Sequence, residues 1–405
     1  MIKKQSKNLT QKEKSLKELY LLIKEFGPVT KGCLVQKTGL KQTTCSRFID
    51  ELLQEDVIIE SGYAESSGGR KPLMYDINPE LYFMFGVDIS HTEVSVLLID
   101  LSLTIKEHTQ LKMNENVTPE VAVNFIEKEI RSLSAGHHLS ESDVLGIGIG
   151  AVGPLDRENG LILNPLGFPA GWQNVQILDM LHKRLNMKCM LDNRANTALL
   201  AEYEKHTQSD YSNVLQILKG VSTQTSIITE GRLVRGTDKL GMFGQGHMIV
   251  DIDGRKCICG GYGCLHAYSS IPAIEEDFIS RLKRGHASVL RERFTDFDQI
   301  KFEDICWAVN EKNDPLACEV IKNAAMYTGI GLSNFINILY PDLIILDGPT
   351  YKKMDLFYST VTEIAAERAK LLNPDHHITF SRGALGENAV AVGAGKMILE
   401  YFLYN

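Results

Sequence analysis

From Ser15 to Phe26 the apolar residues Leu16, Leu19, Leu22, Ile23 and Phe26 recur every three or four positions, the repeat of one helical face. Gly27-Pro28 closes that run, and Thr30 then stands as a cap ahead of a short helical stretch, Lys31–Thr38, which Gly39 ends. In the next stretch Leu40, Cys45, Phe48, Ile49, Leu52 and Leu53 again share a face. The pattern predicts three helices, the last two joined by a glycine-containing turn, which is the order of a helix-turn-helix. The period then shortens. VIIESGY (57–63) and LMYDINP (73–79) read as strands joined by SSGGRKP (66–72), a hairpin that would form a wing beside the helices.

After Pro79 the texture is different. YFMFGVDISHTEVSVLLIDLS (82–102) reads as two buried strands around a polar turn, and VLGIGIGAVGPLD (144–156) as a strand entering a glycine-rich loop. CMLDNRANTALLAEY (189–203) reads as strand, polar elbow and helix, and NVLQILKGVSTQTSIITEGRLVRG (213–236) as a further hairpin. Near the end YPDLIILDGPTY (340–351) is again strand and turn, followed by the apolar helical stretch AVAVGAGKMILEYF (389–402). Strands alternating with helices predict an α/β body of two lobes with a cleft. The expected domains are residues 1–78 and 79–405.

Charge separates the same two regions. The chain carries −8 overall, yet residues 1–50 hold eleven Lys and Arg against four acids, +7, which leaves −15 for the remainder. A basic head on an acidic body implies that the head alone meets a polyanion. Recognition helices touch base edges from their N-terminal end, where Gln42, Thr43, Thr44, Ser46 and Arg47 lie off the apolar stripe. Arg70 and Lys71 at the hairpin tip suit a narrow minor groove or phosphates. Taken singly, each of these side chains is also ordinary helix or loop surface. As a set they predict binding to double-stranded DNA. The content of 44% hydrophobic and 23% charged residues is that of a soluble globular protein, and no run of eighteen apolar residues exists for a membrane span. No apolar signal core follows the basic start, so a cytoplasmic location is expected.

Cysteine spacing adds chemistry. Of eight cysteines, three fall within CICGGYGCLH (257–266), preceded by His247. His247, Cys257, Cys259 and Cys264 supply one imidazole and three thiolates, a complete tetrahedral set for a structural Zn²⁺ with no open position. A disulfide is the alternative, disfavoured by the closeness of Cys257 to Cys259 and by a reducing compartment. The scattered Cys33, Cys45, Cys189, Cys306 and Cys318 read as small buried hydrophobes.

The wing SSGGRKP, the loop GIGIGAVGPLD (146–156), the elbow DNRAN (192–196) and above all GHMIVDIDGRKCICGGYGCLH (246–266) resemble the ROK family of repressors, open reading frames and kinases. The resemblance covers essentially the whole chain, and the head is similar to that of the repressor branch, which includes xylose-operon and N-acetylglucosamine repressors. It implies an actin-like, hexokinase-type ATPase fold of two lobes, a homodimer or homotetramer, and a zinc motif on the same four residues. It also exposes departures. The first phosphate loop of the family's kinases, D-x-G-G-T, is here Asp88-Ile89-Ser90-His91-Thr92, and the Gly-x-Gly-x-Gly loop aligns with Ser222, Gln224 and Ser226. The E-N-D-x-N elbow, whose Asp is the general base, is Asp192-Asn193-Arg194-Ala195-Asn196, and arginine does not accept a proton at neutral pH. Two sugar-facing glutamates are replaced by Gly244 and His266, while Asn193 and His247 keep their types.

The resemblance therefore implies an effector site at Asn193, Arg194, His247 and His266. Arg194 and His266 bring positive charge where acids stood, which suits an anionic ligand such as a sugar phosphate. The alternative is a pocket without a ligand, in which Arg194 pairs with Asp192 or Glu202. NPLGFPAGW (164–172) resembles the family's cleft loop, with Trp172 either a ligand wall or core. The expected function is a repressor of carbohydrate-utilisation genes, xylose among the candidates, that answers to a sugar or sugar phosphate and is no enzyme. An ATP-dependent sugar kinase with an accessory head, or a ligand-independent DNA-binding protein, are the competing readings.

Overall fold

The structure is a computed structural model that describes residues 10–65, 71–206, 211–235 and 246–404. Helix α1, Gln11–Phe26, opens on a capping box: the Glu13 amide donates to Thr10 Oγ1 at 3.3 Å, and the Thr10 amide donates to Glu13 Oε2 at 2.9 Å. Its buried apolar face is Leu16, Leu19, Tyr20 and Ile23. This differs from the expected stripe at three places, the first being Leu22, which is only half-buried. Tyr20 is fully buried, because it completes the i, i+3, i+4, i+7 set with its neighbours. Phe26, at the frayed end, is 40% exposed, and the Lys37 ammonium lies 3.3 Å from its ring centroid.

Strand β1, Val29–Thr30, leads into α2, Lys31–Thr38, whose cap Thr30 accepts from the Cys33 amide. Gly39 ends α2 at φ +67°, a conformation that favours glycine. Helix α3, Gln42–Gln54, buries Cys45, Phe48, Ile49 and Leu52. Strands β2, Ile58–Tyr63, and β3, Leu73–Ile77, pair antiparallel as the hairpin pattern predicted, and β1 adds to β3 to give the order β1-β3-β2.

The body continues with β4 (Phe83–Ile89), β5 (Glu93–Asp100), β6 (Ile105–Lys112), α4 (Pro119–Gly136), β7 (Val144–Ala151), β8 (Leu155–Asp156), β9 (Leu161–Ile162) and α5 (Ile177–Leu185). Then come β10 (Cys189–Asn193), α6 (Arg194–Lys205), β11 (Val214–Lys219), β12 (Thr223–Thr229) and β13 (Arg232–Leu233). The last part holds α7 (His266–Ser269), α8 (Ile271–Lys283), α9 (Phe302–Lys312), α10 (Pro315–Leu339), β14 (Leu343–Asp347), α11 (Pro349–Lys353), α12 (Asp355–Leu372), β15 (Thr379–Ser381) and α13 (Ala389–Tyr404). Among the described residues no helix is long and apolar enough to cross a membrane.

The chain divides into two compact units, one of residues 1–149, 177–191 and 394–405, the other of 150–176 and 192–393. The first holds the head elements and a five-stranded sheet in the order β10-β7-β4-β5-β6. Strand β4 is buried throughout, which is why it reads as a continuous apolar run, whereas the edge strand β6 is polar and part-exposed. Gly148 lets β7 lie against α13: a Cβ there would stand 1.8 Å from the Ala394 carbonyl oxygen.

The second unit is built on the sheet β13-β12-β11-β14-β15, with β11 parallel to β14 and antiparallel to β12. One face, carrying Leu215, Ile217, Ile344 and Leu346, packs into the large core formed with α8, α9, α10 and α12. The other face, with Val214, Ile228, Leu343 and Ile345, receives Leu199 of α6. Helix α6 is in turn pressed against the start of α13, where a Cβ on Gly393 would fall 1.7 Å from the Thr197 carbonyl oxygen. Gly393→Ala is therefore expected to force these helices apart and to lower unfolding free energy by about 2 kcal/mol or more. Urea titration of the intact chain measures it; a variant as stable as the parent would show that the helices are not in this contact.

Candidate functional site

The elbow between β10 and α6 holds the candidate effector residues Asn193 and Arg194. Asn193 is the N-cap of α6, its side chain accepting from the Ala195 amide at 2.9 Å. Asp192 beside it is 1% exposed and accepts four hydrogen bonds. Oδ1 takes the Asn193 amide at 2.8 Å and Asn196 Nδ2 at 2.9 Å. Oδ2 takes Arg157 Nη1 at 3.4 Å and Arg235 Nε at 3.1 Å. Neither arginine carried a signal in the sequence, because they stand 35 and 43 positions from Asp192 in loops without a motif. Arg194 is the first residue of α6, and no acid occupies that first turn. Glu202, wholly buried, accepts the Ala384 and Leu385 amides at 2.7 and 2.8 Å. Trp172 is 1% exposed and meets Phe168 edge-to-face at 5.3 Å, so it belongs to the core.

In the other unit the turn between β4 and β5 carries Asp88–Thr92, the stretch compared above with the kinases' first phosphate loop. Ser90, 3% exposed, donates through Oγ to the Glu93 carbonyl at 2.9 Å. The same Oγ accepts the Thr92 and Glu93 amides at 3.2 and 3.0 Å. Those amides already have an acceptor within the turn, where a phosphate cradle needs them outward. In the second loop Gln224 and Ser226 are 3% and 0% exposed, so side chains fill space that glycines leave open.

Lys219, at the end of β11, is a group that sequence reasoning did not single out. It is fully buried, and its ammonium meets two hydroxyls, Ser269 Oγ at 2.8 Å and Thr223 Oγ1 at 3.2 Å. Burial lowers its pKa from 10.5 to about 7.

His247, Cys257, Cys259 and Cys264 do converge. Their ligand atoms all lie within 4.8 Å of one another, a group able to hold a metal ion. His247 Nδ1 is 3.3 Å from Cys257 Sγ, and Cys259 Sγ is 3.7 Å from Cys264 Sγ. Burial pushes the Cys264 thiol up to about 12 and raises Cys257 as well, whereas the hydrogen bond from the Gly261 backbone lowers Cys259. His266, the fourth candidate effector residue, lies with its ring centroid 5.5 Å from that of His247.

In the head Gln42, Thr43 and Arg47 are exposed at the start of α3, with Thr44 and Ser46 half-buried. Lys31 donates to Ser46 Oγ at 3.2 Å, and the Arg47 guanidinium rests 5.4 Å from the Phe48 ring centroid. Lys71 is exposed; Arg70 and Gly244 lie outside the described residues.

The family ROK matches residues 84–400, most of the chain. The protein belongs to the ROK family. A xylose repressor of Bacillus spizizenii is 26% identical over 391 residues, 95% of each chain. The crystal structure of a ROK family transcriptional regulator, a homolog of the Escherichia coli MLC protein, has a TM-score of 0.77 at 23% identity and covers 97% of both chains. A ROK family glucokinase from Streptomyces griseus, solved with glucose and AMPPNP, has a TM-score of 0.66 at 24% identity and covers 78% of this chain and 98% of its own. The two structures share its fold, and their coverage places the regulator beside the whole ROK chain and the kinase beside part of it.

Lys219 sets a pH dependence. Its folded pKa lies below the unfolded value, so between pH 7 and 10.5 the unfolded chain holds a proton that the folded chain does not. Stability then rises with pH across that window and is lost as pH falls toward 7. Lys219→Met is expected to flatten the rise. Urea unfolding at several pH values between those limits reads it, and an unchanged slope would refute it.

Proposed function

We propose that this ROK protein is a transcriptional repressor of carbohydrate-utilisation genes, with a winged helix-turn-helix head in residues 1–78 and a sensing body in residues 79–405. The observation that carries the reading is the pairing of an exposed, polar N-terminus of α3 with a body whose phosphate turn is closed by Ser90. Two relatives in family and fold are named as regulators, one of them a xylose repressor, which supports a sugar or sugar phosphate as effector. The molecule acts in the cytoplasm as a homodimer or homotetramer, so that two heads read the halves of a palindromic operator, about 34 Å or a multiple apart.

A sugar-kinase reading draws support from the glucokinase likeness. The elbow opposes it. A general base must take a proton from the sugar hydroxyl, and Arg194 stands where that base would be. The chain is accordingly read as a non-enzyme.

The metal is read as Zn²⁺. Ideal Zn–S and Zn–N lengths in a tetrahedron put sulfurs about 3.8 Å apart and sulfur to nitrogen about 3.5 Å. The observed 3.7 and 3.3 Å fit that set. With three thiolates and one imidazole the shell is closed, and the ion would cross-link the loop. About one zinc per chain is expected by elemental analysis of unchelated protein. Cys259→Ser should lower the zinc content and the melting temperature together; zinc-free wild-type protein would end this assignment.

Arg47→Ala is expected to weaken operator binding and make its salt dependence shallower, since a phosphate contact releases counterions. Fluorescence anisotropy across salt concentrations measures both, and Arg70→Ala and Lys71→Ala probe the wing in the same way. A variant that binds as the parent does at every salt concentration would remove Arg47 from the interface.

A further inference from the structure

We propose that the exposed apolar side of the hairpin at residues 249–264, the segment that carries Cys257, Cys259 and Cys264, is the surface on which a second copy of this chain docks. The inference rests on the oligomer proposed above and names the surface that would join its copies.

The hairpin is tied by its own backbone. Ile249 bridges to Cys264 and Lys256 to Tyr262 in antiparallel pairs. The Cys257 amide donates to the Gly261 carbonyl and the Gly263 amide to the Arg255 carbonyl, both at 2.8 Å. Gly263, at φ +70°, allows the closest approach, since a Cβ there would stand 1.6 Å from the Asp251 carbonyl oxygen. Polar anchors hold the inner side. The buried Tyr268 donates through Oη to Asp251 Oδ2 and accepts the Arg255 amide, each at 2.8 Å. Its ring stacks on Tyr327 of α10 at 3.9 Å between centroids. The Arg255 guanidinium stands 3.3 Å from Asp277.

The apolar side chains stand on the outside. Ile252 is 84% exposed, Ile249 and Ile258 are each 64% exposed, and Tyr262 is 59% exposed. With the backbone tied and the inner side taken by Tyr268, these four have no core to enter. A cluster of large apolar groups held in water marks a contact surface.

Charge selects the occupant. Asp253 and Lys256 are exposed on the same hairpin, and neither has an ion-pair partner among the described residues. One acid and one base cancel, so this side offers no attraction to a nucleic acid or an anionic lipid surface, and it belongs to a chain segment that carries −15. The same pair is complementary to itself. A twofold axis sets Asp253 of one copy against Lys256 of the second, and the reverse, with the isoleucines between them. An apolar centre within a charged rim is the anatomy of a protein interface. A stable contact covers about 800 Å² on each copy, so these residues form its centre and neighbouring surface completes it.

Sedimentation velocity on the full chain over a concentration series tests the surface. The parent is expected to self-associate, and Ile252→Asp to weaken that association roughly 10-fold or more, the loss typical of a side chain at an interface centre. Asp253→Lys and Lys256→Asp should each weaken it, because like charges then meet, and the double variant should restore it. Melting curves verify that each variant is folded. An oligomeric parent whose association none of these substitutions changes overturns the surface and leaves the oligomer itself standing. A parent that is monomeric at every concentration overturns both. A double variant no better than the single ones also overturns the docking. So does flotation of the parent with phosphatidylserine-containing vesicles, if Ile252→Asp abolishes it without changing self-association. Operator binding is measured separately, so a failed repressor reading gives a different result.

Discussion

The approach of α6 to its neighbours fixes the elbow, and with it the positions of Asn193 and Arg194. A Cβ on Gly393 would overlap the Thr197 carbonyl, and one on Gly150 would stand 2.6 Å from both Thr197 Oγ1 and Val390 Cγ1. The helix is thus held at backbone distance near its start. Toward its other end Glu202 takes two backbone amides, a strong pair of charge-assisted bonds in a wholly buried setting. A helix held at both places leaves Asn193 and Asp192 little choice of position. Their hydrogen bonds are local consequences of that packing.

The β4–β5 turn and the elbow before α6 illustrate how anion chemistry depends on where N–H groups point. In one unit Ser90 turns a nest of amides inward, and a hydroxyl takes the place that an anion would occupy. In the other unit the donors that remain are side-chain forks, set by a carboxylate that is itself saturated. Burying Asp192 would cost several kcal/mol if it were unpaired. Four donors offset that cost and orient both arginines at once. An arginine at the first position of a helix is mildly unfavourable against the dipole, by less than about 1 kcal/mol, so the placement of Arg194 needs no large compensation.

Much of this was legible in the sequence where one local rule decides the outcome. Thr30 and Gly39 bound α2 because capping depends on adjacent residues, and the four metal-site residues meet because thiols at close spacing with glycines between them have few other arrangements. What was not legible depends on partners distant in the chain. Strand β1 has only two residues and exists through its pairing with β3, so no periodicity can announce it. Phe26 looked like core by spacing, yet Lys37 from the next helix offers its ring a cation at the surface. Arg157, Arg235 and Lys219 carry no motif at all; Asp192 selects the first two, and burial among α7, α12 and β12 defines the third.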